Sequence, residues 1–250
     1  MTPPLRLIVL LLCCPLAQAE TPLRFLTVEG HALPLAQIRR MSNGQSELTD
    51  GIIKDWQDAL ARELGRRPVD VVLPRKRQDL AVTTKQVDLR CFVSPEWLTG
   101  DAIAQYDWPA PFLEVEERVV GASGAERVNG LDDLDKKTIG TVHGYQYRKL
   151  DPLFAAGRAK REDAPSESAL MLKQLAGRTD VAVMRTLDFY YLQRNDPRLA
   201  QLALSPLVVS RFGMYCARPK YSSVTLQDLN AAQERMVKAG TMDKILLKYR

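Results

Sequence analysis

Short β-rich runs and segments of helical periodicity alternate along this chain. LRFLTV at residues 23–28 and VDVVLP at residues 69–74 each have the length and composition of a strand. Between these two runs, the large apolar residues fall at the spacing of one helix face: Ile53, Trp56, Leu60 and Leu64. A strand, a helix and a strand in this order predict a β-α-β unit with parallel strands.

A third predicted strand, residues 88–93, reads DLRCFV and follows a predicted helix at about residues 78–84. Apolar residues occupy both faces of this strand, which is typical of a strand covered by helices on either side. From about residue 114 the same alternation starts again. Strands are predicted at residues 118–123, 137–142, 160–164 and 180–185, and helices at residues 145–155 and 166–175.

Two stretches of the chain echo each other. VTTKQVDLRCF and QLAGRTDVAVM each run from the end of a helix through a tight turn and an aspartate into an apolar strand. This echo favours two α/β lobes over one large sheet. The last segment, residues 225–250, predicts two helices that Gly240 separates.

The first residues have the composition of an export signal. Residues 1–19 contain one cation, Arg6, then an apolar run and the small-residue sequence AQA. The apolar run is too short to span a membrane. We therefore expect a secretory signal that is cleaved after Ala19. A lipid anchor at Cys13 or Cys14 is the weaker interpretation, because the small residues that normally precede a lipidated cysteine are missing.

Composition and charge argue against several functions. Removing Arg6 with the signal lowers the formal net charge from +5 to +4, on a chain that also carries many acidic residues. Such a mixed surface predicts no nucleic-acid binding. The densest cationic stretch, residues 66–77, is interpreted as a helix end and a solvated loop. His31 and His143 are the only histidines, and no C-x-x-C or H-E-x-x-H motif occurs, so we expect no metal, no cofactor and no histidine-based nucleophile.

The order of these elements and several motifs resemble one family, the family 3 set of type II periplasmic solute-binding proteins associated with polar amino-acid uptake. The resemblance covers essentially the whole mature chain. The motifs are G-x-x-x-D-x-x-x-x-L-x-x-x-L-G from Gly51, VDLRCF, YDWPAPFLEVEERVVG, LDDLDKKTIGTVHGYQY, LAGRTDVAV and LNAAQERMVKAGTMDKILLKY. Each motif is weak alone, and their order and spacing together are fairly specific.

The resemblance implies an α/β fold of two lobes, each a mostly parallel sheet flanked by helices, joined by two crossover strands. The first lobe would comprise residues 20–113 with residues 206–250, and the second lobe residues 114–205. A ligand would be held in the cleft between the lobes. Strand carboxyl ends and helix N-termini point into such a cleft, where free backbone N–H groups suit an anion.

The resemblance also implies ligand-binding positions. Gly144 stands where the family brings backbone N–H groups to its ligand, and Tyr145 and Gln146 follow it as possible side-chain donors. Glu29 and His31 follow the first strand and are candidates to line the cleft, with a solvated loop as the alternative.

This chain departs from the family at both halves of the amino-acid clamp. The family arginine that pairs with the ligand α-carboxylate follows a turn that here reads Ser94, Pro95, Glu96, Trp97. Where the family commonly places an acid for the ammonium group, this chain has Arg185. Binding of ordinary α-amino acids in the usual geometry is therefore not expected.

A different ligand would suit these residues. Arg185 and the Gly144 turn fit an acidic group, although a surface ion pair is an equal alternative for Arg185. Trp97 and Trp108 would stack on a flat or apolar body. For Trp97, a place in the cleft wall is favoured over packing within a lobe, because it follows a proline in a turn.

Two cysteines remain in the mature chain, Cys91 and Cys216. An even count in an exported protein favours a disulfide, with two buried free thiols as the alternative. In the topology that the resemblance implies, the strand carrying Cys216 lies antiparallel beside the strand carrying Cys91. We therefore predict a bridge between these two residues.

The leading functional hypothesis is a non-enzymatic, monomeric periplasmic binding protein. It would capture a small polar or acidic solute and pass it to an ABC permease or to a membrane receptor. One alternative is a periplasmic enzyme on the same scaffold, similar to cyclohexadienyl dehydratases, with Glu96, Glu29 or Asp107 as its acid. Another is a lobe pair that binds a protein partner.

Overall fold

The computed structural model describes residues 21–98 and 100–249, so the predicted export signal lies outside the described residues. The strands are β1 (Pro22–Val28), β2 (Gln37–Arg40), β3 (Ser46–Asp50), β4 (Arg67–Leu73), β5 (Arg90–Val93), β6 (Tyr106–Asp107), β7 (Leu113–Ala122), β8 (Thr138–Val142), β9 (Lys160–Ala164), β10 (Val181–Arg185) and β11 (Leu202–Pro219). The α-helices are α1 (Ile52–Glu63), α2 (Gln78–Thr83), α3 (Asp101–Ala104), α4 (Asp151–Ala155), α5 (Glu167–Leu175), α6 (Thr186–Asn195), α7 (Leu226–Lys238) and α8 (Thr241–Tyr249). Across both described ranges, no helix combines the length and the apolar character needed to cross a membrane.

The first lobe, which we define as β1–β6 with α1–α3, α7 and α8, contains the predicted β-α-β unit. β1 and β4 pair in parallel, with Phe25 opposite Asp70, and Phe25 also bridges in parallel to Leu89. The apolar face of α1 is buried against these strands: Ile52, Ile53, Trp56 and Leu60. The helical spacing in the sequence therefore marks a genuine core face.

A close backbone approach fixes the start of α1. Gly51 has a φ of 113°, and a Cβ atom there would lie 2.5 Å from the carbonyl oxygen of Leu35. Only glycine fits this position without moving the backbone. The N–H of Ile53 donates to the same carbonyl over 2.9 Å. The loop after β1, which carries His31, is thereby held against the N-terminus of α1.

The second lobe, which we define as β8–β10 with α4–α6, is built on a parallel arrangement. β8 lies between β10 and β9 and pairs with both in parallel. Ile139 and Val183 are buried in one apolar cluster, whereas Ala182 and Leu170 are buried in another. Because Ala182 and Val183 are consecutive residues of one strand, these clusters lie on opposite faces of the sheet.

Two long strands connect the lobes. β7 leads from the first lobe into the second and β11 leads back, and the two pair antiparallel. β11 also pairs with β5, with Tyr215 opposite Val93, so one seven-stranded sheet runs through both lobes. The predicted two-lobed α/β fold with two crossover strands is confirmed, whereas the exact lobe boundaries stay a prediction.

The local structure differs from the sequence prediction in several places, including the following three. The helix predicted at residues 145–155 is only α4, because the preceding residues form turns in which Tyr147 O accepts from the N–H groups of Leu150 and Asp151. The hairpin of β2 and β3 is missing from the prediction, since it is short and largely polar. The helix α6 is missing for a similar reason, as few of its residues are buried.

The predicted disulfide between Cys91 and Cys216 is present and joins β5 to β11. Trp56 Nε1 donates to Cys216 Sγ over 3.3 Å, so the bridge is packed into the core of the first lobe. Next to the bridge, Phe92 has a φ of 57°, which is unusual for a bulky side chain. The bond therefore fixes an irregular strand against the strand that both lobes share.

Replacing both cysteines (Cys91→Ala with Cys216→Ala) should lower the free energy of unfolding by about 2–4 kcal/mol, because the bond closes a long loop of the unfolded chain. Urea denaturation of exported protein measures this loss. Wild-type protein under a reducing agent should lose a similar amount, while the double variant should not respond to the reducing agent. Peptide mapping that found both thiols free would contradict the assignment.

Candidate functional site

A cavity of about 110 Å³ lies between the two lobes, and we call it the interlobe cavity. Its first-lobe residues are Thr27, Val28, His31, Ile53, Arg75, Arg90, Cys91, Phe92 and Trp97. Its second-lobe residues are Gly144, Tyr145, Gln146 and Arg185, and Glu117 of the crossover strand β7 completes it.

The parallel strands of both lobes direct their carboxyl ends towards the interlobe cavity. Val28 ends β1, Arg75 follows the end of β4, Gly144 follows β8 and Arg185 ends β10. In α/β sheets this edge is where ligands bind, because loops and side chains there are not covered by helices. The topology therefore explains why residues far apart in the sequence meet in one place.

Six residues that the sequence predicted for ligand binding lie together in the interlobe cavity: His31, Trp97, Gly144, Tyr145, Gln146 and Arg185. The ring of Trp97 also packs edge-on against Phe212, with ring centroids 5.1 Å apart. Trp97 thus contributes to both the cavity wall and the packing of the first lobe.

Three other predicted ligand-binding residues lie outside the interlobe cavity. Glu29 accepts a hydrogen bond from Ser46 of the β3 strand and borders a different surface depression. Ser94 is buried and its hydroxyl caps the following turn, accepting from the N–H of Glu96. Trp108 donates from Nε1 to Ile103 O over 3.4 Å, which holds its ring within the first lobe.

The acids suggested for an enzymatic alternative are also placed elsewhere. Asp107 is ion-paired with Arg218, and neither Glu96 nor Glu29 lines the interlobe cavity. Glu117 is the carboxylic acid that does line it.

Sequence reasoning missed three charged residues of the interlobe cavity: Arg75, Arg90 and Glu117. Arg75 belongs to the stretch interpreted as a helix end and a solvated loop; it is exposed, as that interpretation expects, and its place just after β4 also brings it to the cavity. A signal for Arg90 was available, since it is a lone cation within the apolar strand DLRCFV. Glu117 shares the buried face of β7 with Val115 and Val119, but its neighbours Glu116 and Arg118 are also charged, which masks this signal in the sequence.

Arg185 is held by two buried acids of its own lobe. Its Nη2 donates to Glu167 over 2.8 Å, and its Nε donates to Asp188. Tyr145 donates from its hydroxyl to Glu167 over 2.9 Å, and its ring lies 5.6 Å from the guanidinium carbon of Arg185. Arg185 therefore lines the cavity and is ion-paired, but its ion pairs are buried, so the alternative of a surface ion pair is wrong.

Arg90 differs from Arg185 because it lacks an acidic partner. It is 9% exposed, and no carboxylate in residues 21–98 and 100–249 forms an ion pair with it. Arg75 also has no ion pair within those ranges, and its guanidinium carbon lies 5.9 Å from the ring of Tyr145. The first-lobe side of the cavity therefore carries cationic groups without an internal counterion.

Burial and the nearby cations shift the pKa values of two other groups that line the cavity, His31 and Glu117. Burial, followed by repulsion from Arg185, Arg75 and Arg90, lowers the pKa of His31 to about 3, so its imidazole is neutral near pH 7. Burial raises the pKa of Glu117, whose carboxylate accepts a hydrogen bond from Ser210.

The side chains of the interlobe cavity are suited to bind an anion. Three guanidinium groups, the turn at Gly144 and the amide of Gln146 supply donors. The part of the chain that the structure describes contains no cluster of three or more histidine, cysteine or acidic side chains arranged for a metal ion.

Asp188→Asn should lower the free energy of unfolding by about 3–5 kcal/mol, because it leaves the buried Arg185 with one partner fewer. Urea denaturation at neutral pH measures this. Asp132→Asn is the matched control, since the Asp132 side chain is 93% exposed and Arg158 keeps Asp135 as a partner. Equal losses in the two variants would contradict the buried ion-pair network.

The His31 imidazole should show no protonation step between pH 8 and pH 5 in histidine-resolved NMR. The pKa of His31 is about 3 in the closed structure, below the ordinary value of 6.5. Between pH 6.5 and pH 3, the imidazole therefore binds a proton in an open or unfolded state but not in the closed state. Acidification in this window should therefore favour opening. His143→Gln assigns the two histidine signals, and a His31 midpoint near 6.5 would show that the imidazole is not shielded.

The fold is similar to that of several solved structures. An ancestral arginine-binding protein bound to arginine has a TM-score of 0.70 and 21% sequence identity, covering 93% of this chain and 99% of that chain. A probable amino-acid ABC transporter extracellular-binding protein from Bacillus subtilis has a TM-score of 0.73 and 13% identity, covering 92% and 97%. A histidine kinase sensor domain with similarity to periplasmic binding proteins has a TM-score of 0.69 and 16% identity, covering 92% and 96%.

Neither the protein-family models nor the curated protein sequences give a match to this chain. At these sequence identities, structural similarity shows the fold. The chain therefore has the fold of the type II periplasmic binding proteins, as the order of its sequence motifs predicts.

Proposed function

We propose that this protein is a periplasmic solute-binding protein that captures a small polar or acidic solute between its two lobes. The interlobe cavity carries this proposal, because it is enclosed by both lobes and presents the unpaired, buried Arg90. A buried charge without a partner is strongly unfavourable, and an anionic solute would supply the missing partner.

Closure of the two lobes would couple binding to a change of shape. A solute that contacts both lobes favours the closed state by its differential affinity for that state. Direct contacts between the lobes include the Arg75 guanidinium near the Tyr145 ring and a long 3.5 Å hydrogen bond from Arg148 Nη2 to Leu98 O. Leu187 and Tyr191 of α6 also pack against the apolar cluster that contains the first-lobe core. The hinge would be formed by β7 and β11, which connect the lobes.

The partner would be a protein that recognises the closed form. An ABC permease and a membrane-bound sensory receptor both fit, since the similar structures include a transporter component and a kinase sensor domain. We propose that the protein acts as a monomer, that its export signal directs it to the periplasm and that it is not an enzyme.

Catalysis is a second candidate function, favoured by one observation. Glu117 faces the interlobe cavity and burial raises its pKa, so it is a group that could donate a proton to a bound cyclic acid. Its hydrogen bond with Ser210 and its place opposite Arg185 in the sheet fit a structural role equally well. Incubating the protein with its ligand and following the ligand by NMR distinguishes catalysis from simple binding, because only an enzyme would consume the ligand.

A ligand screen on mature protein, denatured to remove bound solute and then refolded, tests the proposed function. At least one class among amino acids, dicarboxylates, aromatic acids and small peptides should raise the melting temperature, because it binds only the folded state. The same ligand should alter tryptophan fluorescence, and Trp97→Phe should abolish that change since Trp97 lines the cavity.

Trp108→Phe is the matched control, because Trp108 lies outside the interlobe cavity. The fluorescence change should persist in this variant. No shift with any ligand class and no compaction by small-angle scattering would count against small-molecule capture and favour a protein partner.

A further inference from the structure

Arg90 is a buried cation for which residues 21–98 and 100–249 supply no acidic partner. Its side chain is more than nine-tenths buried, at the edge of the interlobe cavity. β5 holds it in place, with Ala217 of β11 opposite Arg90 in the pairing and the bonded Cys91 next in sequence. An arginine fixed in this way presents its donors in one direction, which suits a planar carboxylate.

The acids near the interlobe cavity are already engaged. Glu167 and Asp188 both bind Arg185, and Glu117 accepts from Ser210. An ammonium group on a ligand would need one of these carboxylates or an aromatic face as its partner. A ligand ammonium group would therefore compete with protein donors for these carboxylates.

One aromatic ring of the cavity, Tyr145, already lies beside two cations. The guanidinium carbons of Arg75 and Arg185 lie 5.9 Å and 5.6 Å from the centre of the Tyr145 ring. A third cation at this ring would be repelled by both guanidinium groups. The apolar part of the wall, by contrast, is free of charge and is formed by Ile53, Phe92 and Trp97.

We propose that the solute is a small organic acid without an ammonium group, whose carboxylate is held by Arg90 with help from Arg75 and whose body packs against Phe92 and Trp97. This proposal rests on the proposed solute-binding function and names the chemical class of the solute. It separates the protein from binding proteins that recognise both ends of an α-amino acid.

Pairs of probes that differ only in the ammonium group test the proposal. Isothermal titration of refolded, solute-free protein compares 3-phenylpropionate with L-phenylalanine, and succinate with L-aspartate. At least one acid should bind at least about tenfold more tightly than its amino-acid counterpart, which is the size of one charge-assisted contact. 3-Phenylpropanamide, which lacks the carboxylate, should bind more weakly than 3-phenylpropionate.

Arg90→Gln should weaken binding of the acid by at least about tenfold, since it removes the charge-assisted contact. The melting temperature of the solute-free variant should equal or exceed that of the wild type, because an unpaired buried charge is removed. A residue with a merely structural role would instead lower it. Arg178→Gln is the matched control, since Arg178 is exposed and lies outside the interlobe cavity.

The outcomes separate this proposal from the proposed function. If an amino acid binds as tightly as its acid counterpart, or if Arg90→Gln binds the acid unchanged, the solute class is wrong while solute capture stands. If no probe binds and the protein does not compact in small-angle scattering with any solute class, both the solute class and solute capture are wrong.

Discussion

The antiparallel pairing of β11 is the constraint on which the rest of the structure depends. This single strand pairs with β5 and β6 in the first lobe and with β7 along the crossover. One continuous segment of chain therefore carries hydrogen bonds both to strands of the first lobe and to the crossover strand β7. The lobes can rotate about this segment, but they cannot separate without breaking the hydrogen bonds between β11 and its neighbouring strands.

The chemistry of the interlobe cavity follows from that arrangement. Parallel strands in each lobe end at the same gap, so the residues after them meet although they are distant in sequence. Each lobe then uses its cation differently. The second lobe neutralises Arg185 with its own acids, Glu167 and Asp188, whereas Arg90 of the first lobe has no acidic partner among the described residues. The positive charge that lacks a partner therefore lies on the first-lobe side of the cavity.

Much of this fold can be predicted from the sequence, because its signals are local. The helical spacing of α1 and the apolar strands β1, β4, β8 and β10 reflect burial on defined faces, and burial leaves a clear pattern of apolar residues. The pairing of Cys91 with Cys216 depended on the topology that the family resemblance implied. The hairpin of β2 and β3 left almost no pattern, because it is short and mostly exposed.

The site was harder to predict than the fold. Gly144, Tyr145 and Arg185 were found because they occupy positions that the motifs mark, but nothing in the sequence showed that the exposed Arg75 also lines the cavity. Whether an exposed arginine also faces a cavity depends on the lobe across from it, and the local sequence contains no information about that lobe. Trp108 was predicted to line the cleft, but its ring packs on Tyr215 of β11 instead.

The bond between Cys91 and Cys216 has a practical consequence for the study of this protein. It anchors the residue next to Arg90 to the strand that both lobes share. Protein produced in a reducing cytoplasm would lack this anchor and would present Arg90 on a strand free to rearrange. Ligand affinities measured on such material would describe a different site, so only oxidised protein is informative about the native solute.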